Sequence, residues 1–303
     1  MGVVRAGRFT ALVRPIDPPS LGEKRWCSTY CRTVQSNLPG VDVSDPAEKR
    51  IALHIQDSIA TITLTREARK NSIDGPMHFA LRDALSRIET DPAIRAVILT
   101  GSGTAFCAGQ DLNERARTFE QGDTPDLRAS LEDNYNPLIR RLARLDCPVI
   151  SAVNGIAFGA GAGLAIAADI VLCAESARFQ FGFVNVGLGP DSGVSWTLPR
   201  LVGQARALDL ALTGRLVKAD EAFAIGLVSR VVIDAELTTT ARAIAKEFAA
   251  CSSSALTSIK KLLRTNPNGS FDAALDAERD AQDRLGRSDA YRAAVLRFVQ
   301  SRK

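Results

Sequence analysis

Apolar and polar positions alternate at Ile51, Leu53 and Ile55 and again from Ile59 to Leu64, with the turn-forming pair Asp57-Ser58 between the two runs. That pattern predicts a β-hairpin. Pro76 then opens a segment in which Phe79, Leu81, Leu85 and Ile88 suggest a helix with these side chains toward a core. Ala96 to Thr100 reads as a short buried strand that runs into the loop Gly101-Ser102-Gly103-Thr104. Leu127, Leu131, Tyr135, Leu138, Leu142 and Leu145 keep helical spacing over about five turns. Pro148 to Val153 is the next strand, followed by a glycine-rich turn, a helix of small residues and a further strand at Ile170–Cys173. Strand and helix in alternation imply parallel crossover units, hence an α/β core.

From Ala235 to Arg302 almost every residue favours helix. Ile244, Phe248, Ile259, Leu263, Leu275, Leu285, Leu296 and Phe298 are the apolar positions, and breaks fall at Cys251–Ser254, Asn266–Ser270 and Gly286–Ser288. This tail is expected to pack on the core or on a neighbour. Residues 1–48 lack periodicity, are rich in Arg and Ser, and contain Pro15, Pro18, Pro19, Pro39 and Pro46. Three regions result: a disordered or leader extension at 1–48, a core at 49–234 and a helical region at 235–303.

With 303 residues, 46% of them hydrophobic, the chain can support a core, which excludes disorder as a whole-chain property. The most apolar stretch, Val149 to Cys173, is broken by Asn154, by glycines and by Asp169, short of the roughly 20 residues a membrane span needs. No membrane partner is expected. The net charge of +4 owes much to Arg5, Arg8, Arg14, Lys24, Arg25 and Arg32, which outweigh Asp17 and Glu23. The remainder is near balance and lacks the basic face that a nucleic-acid partner requires. Six cysteines are scattered, and the close pair Cys27 and Cys31 has no second pair to complete a zinc site. No metal is expected, and the thiols read as reduced, in the cytoplasm or in an organelle if residues 1–48 are a transit peptide.

Two loops carry candidate chemistry. The first is Thr104-Ala105-Phe106-Cys107-Ala108-Gly109-Gln110-Asp111-Leu112, where small residues let backbone N–H groups approach a ligand and Asp111 can cap the following helix. The second is Asn154-Gly155-Ile156-Ala157-Phe158-Gly159-Ala160-Gly161-Ala162-Gly163, leading into a helix whose first N–H groups are unpaired and suit an anion. It has no Gly-Lys-Ser/Thr to mark a nucleotide phosphate. By itself the glycine run fits close helix packing equally well. A pair of such loops after successive parallel strands points instead to an oxyanion hole, two N–H donors aimed at one oxygen.

Leu64, Arg66 and Asn71, then Ala105 to Leu112, then Ala152-Val153-Asn154-Gly155, then Gly187-Leu188-Gly189-Pro190-Asp191-Ser192-Gly193 and Leu198-Pro199-Arg200-Leu201-Val202-Gly203 resemble, in this order, the crotonase (enoyl-CoA hydratase/isomerase) superfamily. The resemblance covers residues 50–302. It implies a superhelix of ββα turns, a C-terminal helical region that builds a homotrimer or dimer of trimers, and an acyl-CoA thioester substrate, coenzyme A being part of the substrate and no other cofactor being needed. Matched residue by residue, the oxyanion donors are the backbone N–H groups of Gln110 and Ala160. Strands around Ala68–Arg69 and Ala108 lie along the coenzyme A moiety, and Gly109, Asp111, Leu112, Gly159, Phe183 and Pro190 belong to the substrate site.

Hydratases of this family use two glutamates, at the positions of Gly163 and Phe183, and neither acid is present. Glu175 is better suited to surface capping. The remaining candidate is Asp191, set among Val186, Leu188, Val194 and Trp196. An aspartate here is catalytic in two branches that the segment resembles, the 1,2-epoxyphenylacetyl-CoA isomerases and the 4-chlorobenzoyl-CoA dehalogenases. A carboxylate in an apolar pocket has its pKa raised, which suits acid–base work near neutrality, whereas Pro-Asp-Ser-Gly also fits a plain turn. The dehalogenase branch needs an imidazole, and the histidines, His54 and His78, read as structural or surface residues. Phe179, Phe181 and Phe183 are expected near the acyl group. The reading is an acyl-CoA isomerase acting on a double bond or an epoxyphenylacetyl-type substrate; the alternatives are an enoyl-CoA hydratase and an inactive acyl-CoA-binding homologue.

Overall fold

The computed structural model describes residues 49–265 and 269–301. The expectations for residues 1–48, including a transit peptide and the Cys27/Cys31 pair, lie outside them. The strands β1 (Ile51–Gln56) and β2 (Ile59–Leu64) form the expected antiparallel hairpin. Asp57 and Ser58 both have left-handed φ values, 55° and 61°, the twist-matched two-residue turn of such hairpins. Helix α1 (Gly75–Thr90) is capped by the Asp74 carboxylate, which accepts from the Met77 N–H at 2.9 Å. It buries Met77, His78, Leu81, Ala84, Leu85 and Ile88. Phe79 departs from expectation and is 70% exposed, because it lies roughly 200° around the helix from Met77.

Next come β3 (Ala96–Gly101), β4 (Ala105–Cys107) and α2 (Leu112–Glu120). The long leucine stripe is one run of α3 (Leu127–Ser130), a π-helical turn (Leu131–Tyr135) and α4 (Asn136–Arg144). Tyr135, Leu138, Leu142 and Leu145 are buried as expected, whereas Leu127 is exposed. The wider π turn, closed by Asn136 N–H to Leu131 O, shifts the helical register between them. The chain continues through β5 (Val149–Val153), β6 (Ile156–Phe158), α5 (Ala160–Ile166), β7 (Ile170–Ala174), β8 (Arg178–Gln180) and a 3-10 turn (Gly182–Val186). Helices α6 (Val194–Val202) and α7 (Gln204–Thr213), strand β9 (Leu216–Lys218), α8 (Ala219–Ala224) and β10 (Arg230–Val232) complete this part.

Strands order as β1-β2-β3-β5-β7-β10 in a six-stranded sheet and β4-β6-β8-β9 in a four-stranded one, parallel except at β1/β2 and β8/β9. The chain repeatedly lays a strand in the large sheet, the next in the small sheet, then a helix, as in β3-β4-α2 and β5-β6-α5. This is the ββα superhelix expected from the sequence. Both faces of the large sheet are covered, as parallel sheets require. Val97, Leu99, Val149 and Val153 face the main core, while Ile98, Ile150 and Leu172 meet Leu237, Ala241 and Ile244 of α9 (Leu237–Ala250).

Helices α10 (Ser253–Thr265), α11 (Phe271–Gly286) and α12 (Asp289–Gln300) follow. Lys260, which is buried, docks α10 by donating to Leu142 O and Cys147 O and by pairing with Asp169 at 2.8 Å. Ile244 packs on the core, but Ile259, Leu263, Leu275, Leu296 and Phe298 are exposed on the single chain. None of the described helices is long and apolar enough to cross a membrane.

Candidate active site

The first loop is held by main-chain bonds. Ala108 N–H donates to Lys70 O at 2.9 Å, Ile73 N–H to Gly109 O at 2.7 Å and Asp111 N–H to Ile73 O at 2.9 Å. In a trans peptide the C=O and N–H point in opposite directions. With Gly109 O turned toward Ile73, the Gln110 N–H is therefore turned away from it. Ala68 and Arg69 adjoin this loop but, against expectation, lie in a 3-10 turn (Glu67–Arg69) instead of a strand. Arg66 O accepts from both Arg69 N–H and Asn71 N–H, and the left-handed φ values at Lys70 and Asn71, 51° and 55°, curl the segment back.

Buried charge fixes the same loop. Arg66 pairs with Asp111 at 2.7 Å and with Asp74 at 3.2 Å, and Arg50 approaches Asp74 at 3.1 Å. Burial alone would raise the Asp111 pKa, but Arg66 and the Asn113 donors outweigh it and hold the carboxyl below its ordinary value. Asp111, expected at the substrate, thus faces Arg66 and caps α2. Asn71 and Asn154 converge from two directions on Ala105 O, at 2.7 and 3.2 Å, which braces the entry to β4.

In the second loop the glycines separate by role. Gly159 has φ +52° and precedes α5, and its N–H donates to Gln180 O at 2.8 Å. A Cβ on Gly161 would collide with Cys107 O, and one on Gly163 would lie 2.6 Å from Ser192 Cβ. Close packing and an open helix N-terminus are both present, at different residues. A Cβ on Gly109 would be 2.7 Å from Phe158 O and 3.3 Å from Ala160 N, so the loops touch. Ala160 is the first residue of α5, where an N–H has no intrahelical acceptor. Neither its N–H nor that of Gln110 has an acceptor among the described residues. Two such donors side by side are able to stabilise an oxygen anion.

Asp191 is in the loop before α6, beside the residues facing Gly163. Its Oδ1 is buried without a hydrogen-bond partner. Burial raises its pKa above 3.8, and the neighbouring Ser192 hydroxyl opposes the rise only partly. Ser192 is buried and left-handed at φ +51°, and Gly193 follows at φ +77°. Pro190, Val186, Leu188 and Trp196 are exposed on the single chain, and Val194 is buried. Phe179 and Phe181, expected near the acyl group, are fully buried and belong to the main core; Phe183 is 6% exposed.

Several residues at the site went unnoticed in the sequence. Gln110 Oε1 accepts from Tyr135 Oη at 2.9 Å and from Arg115 at 3.2 Å, while Gln110 Nε2 donates to Glu114 at 2.9 Å. Tyr135 was legible as a core position of the leucine stripe, its hydroxyl partner was not. His78 meets the Tyr135 ring edge-on, centroids 4.4 Å apart, and burial pushes its pKa down to about 4. His54 is at the surface. No group of three or more His, Cys, Asp and Glu suited to a metal ion occurs among the described residues.

Residues 54–303 match the family model for enoyl-CoA hydratase/isomerase. Among curated proteins, the chain is 45% identical over 252 residues to 1,2-epoxyphenylacetyl-CoA isomerase of Escherichia coli (strain K12), covering 83% of this chain and 96% of that one. It is 34% identical over 211 residues to 4-chlorobenzoyl coenzyme A dehalogenase-1 of Arthrobacter sp, covering 69% and 75%. Among solved structures, enoyl-CoA hydratase from Bacillus anthracis superposes with a TM-score of 0.78 at 31% identity, over 84% of this chain and 97% of that one.

Proposed function

The chain belongs to the enoyl-CoA hydratase/isomerase family, and from that premise we propose that it is an acyl-CoA isomerase in which Asp191 moves a proton along the acyl group. The observation that carries this reading is the Asp191 carboxylate oxygen, shut away from water with no hydrogen-bond partner, in a loop packed on the helix that starts at Ala160. The thioester oxygen would rest between the N–H groups of Gln110 and Ala160. Asp191 takes a proton from an acyl carbon, the electron pair enters the thioester as an enolate, and the O⁻ is held by the two donors, each contributing about 3 kcal/mol. The protonated Asp191 then returns its proton to a different carbon and the double bond shifts. Atoms and charge balance without a redox partner or an added water.

Hydration is the second reading, because structural relatives carry that name. It would have to run on Asp191 alone, since Gly163 and Phe183 offer no carboxylate. Coenzyme A would pass along Ala68, Arg69 and Ala108, with Leu112 and Gly159 nearer the acyl group. The exposed apolar residues of α10 to α12 support a trimer or a dimer of trimers. The test is incubation with short, medium and aryl enoyl-CoA thioesters in ¹⁸O-labelled water, followed by mass spectrometry. Isomerisation without label uptake, reduced about 10²- to 10⁴-fold in Asp191→Asn, is expected. Turnover unaffected by that substitution would overturn the assignment, and label in the product would favour hydration.

A further inference from the structure

We propose that Tyr135 is a positioning residue for this site, holding the oxyanion loop through the side chain of Gln110 while its helix carries the wall against which the Asp191 loop rests. The inference rests on the reading of Gln110 and Asp191 given above.

Tyr135 ends the π-helical turn Leu131–Tyr135, an irregularity frequent at functional sites because it displaces one side chain from the helical register. Its hydroxyl donates to Gln110 Oε1 at 2.9 Å across 25 residues of chain. Gln110 is fixed from several sides at once: Tyr135 and Arg115 donate to Oε1, Nε2 donates to Glu114, and the backbone bridges Ile73. Arg115 and Glu114 belong to α2, which starts within two residues of Gln110. Tyr135 alone of the side-chain partners comes from a distant element. One turn further along, Ile139 lies 3.4 Å from where a Cβ on Gly193 would stand, so the Asp191-Ser192-Gly193 loop packs on the same helical run.

The surroundings of the hydroxyl agree with this placement. Burial first, then Cys107 and Asp191, push the Tyr135 pKa well above its ordinary value, so the phenol remains a neutral donor at physiological pH. His78 backs the ring edge-on, which restrains its orientation. The phenol therefore bonds the residue whose N–H would hold the enolate oxygen, and it sits on the helical run that meets the acid-bearing loop through Ile139. A small displacement between those groups is expensive in rate, since misplacement of about 1 Å costs up to about 10²-fold.

The experiment is a double-mutant cycle on the full-length protein with Tyr135→Phe, which keeps the ring, and Gln110→Leu, which keeps the Gln110 N–H. Tyr135→Phe is expected to lower kcat by about 10- to 100-fold with KM changed less than about threefold and thermal midpoint retained. In the Gln110→Leu background it is expected to cost little more, because the bond it removes is already gone. Equal, additive losses in both backgrounds, or unchanged kcat, would overturn the proposal. So would a loss carried wholly by KM or by unfolding. Solvent-deuterium exchange into a bound thioester, followed by NMR, reads the proton step independently and should slow in parallel with kcat. Asp191→Asn run alongside separates the two claims: an active Asp191→Asn sinks the underlying assignment, whereas an inactive one with normal Tyr135→Phe sinks only this inference.

Discussion

Ser192 Cβ stands 2.6 Å from the point at which a Cβ on Gly163 would begin, and Ser192 O is 3.2 Å from it. Helix α5 and the acid-bearing loop are thus in contact through an absent side chain. Gly163→Ala is expected to cost about 1–3 kcal/mol by overpacking and to lower kcat by shifting Asp191. Denaturant midpoints and initial rates check both, and Ser192→Gly placed in the same chain should relieve part of the loss. A Gly163→Ala protein as stable and active as its parent would contradict the packing argument. Gly163→Glu should not create hydratase activity, because its carboxylate has no room beside Ser192.

Ala160 allows a substitution that removes a donor and spares the helix. Proline is tolerated at the first helical position, where its missing N–H had no intrahelical partner. Ala160→Pro should therefore fold with a near-parental circular dichroism spectrum while losing about 10²- to 10³-fold in kcat. Parental kcat in a folded Ala160→Pro protein would remove Ala160 from the oxyanion hole.

Arg66 neutralises two carboxylates that are themselves buried, Asp74 and Asp111. Arg66→Met leaves Asp111 without its cation and should destabilise the fold by about 3–5 kcal/mol, measured by urea unfolding. Adding Asp111→Asn should recover part of that. Because the Asp111 pKa is lowered by folding, its contribution in the parent is present above the unfolded carboxylate pKa and is lost as pH falls through the folded value. In the absence of the arginine this acid dependence should weaken.

His78 makes a prediction of opposite origin. Its pKa falls from 6.5 to about 4 on folding, so between those values the unfolded chain binds more protons and stability rises with pH. The rise amounts to roughly 3 kcal/mol, with burial the largest cause and the nearby Arg82 adding to it. His78→Phe, which keeps an aromatic ring against Tyr135, should flatten the pH 4 to 6.5 limb of the unfolding profile. A limb of the same height in the variant would assign it to other groups.

Asp191 must be ionised to accept a proton. Since burial lifts its pKa above 3.8, kcat/KM should fall on acidification at a midpoint above that value, with the rate recovered as pH rises through it. A profile flat down to pH 4 would mean that Asp191 is solvated in the free enzyme or is not the base.

The hairpin, the parallel strands and the helices after Ala235 were legible because two-residue and 3.6-residue periods are local properties. Phe79 escaped because an error of two residues in phase, about 200°, moves a side chain to the far side of a helix. The two aspartates show the deeper reason. The neighbourhoods mark Asp111 as a helix cap and Asp191 as an acid among apolar residues, but they do not tell that Asp111 has Arg66 at 2.7 Å while an oxygen of Asp191 has no partner. That difference is made by residues 45 positions away or not made at all, and only the folded chain reveals it. Tyr135 is similar: its ring follows the stripe, but the partner of its hydroxyl lies 25 residues away, in the loop before α2.

Strands β4 and β6 are adjacent and parallel in the small sheet, with Ala105 opposite Ile156 and a shift of register before Cys107. Each runs directly into one of the two loops that touch at Gly109 and Ala160. The gap between those loops is thus inherited from the ladder, where neighbouring strands sit about 4.8 Å apart. Side-chain replacements in the loops leave that ruler untouched. Length is another matter: inserting or deleting a single residue between Ala105 and Ala108, or between Ile156 and Gly159, would reset it. The site should therefore tolerate changes of spelling far better than changes of count.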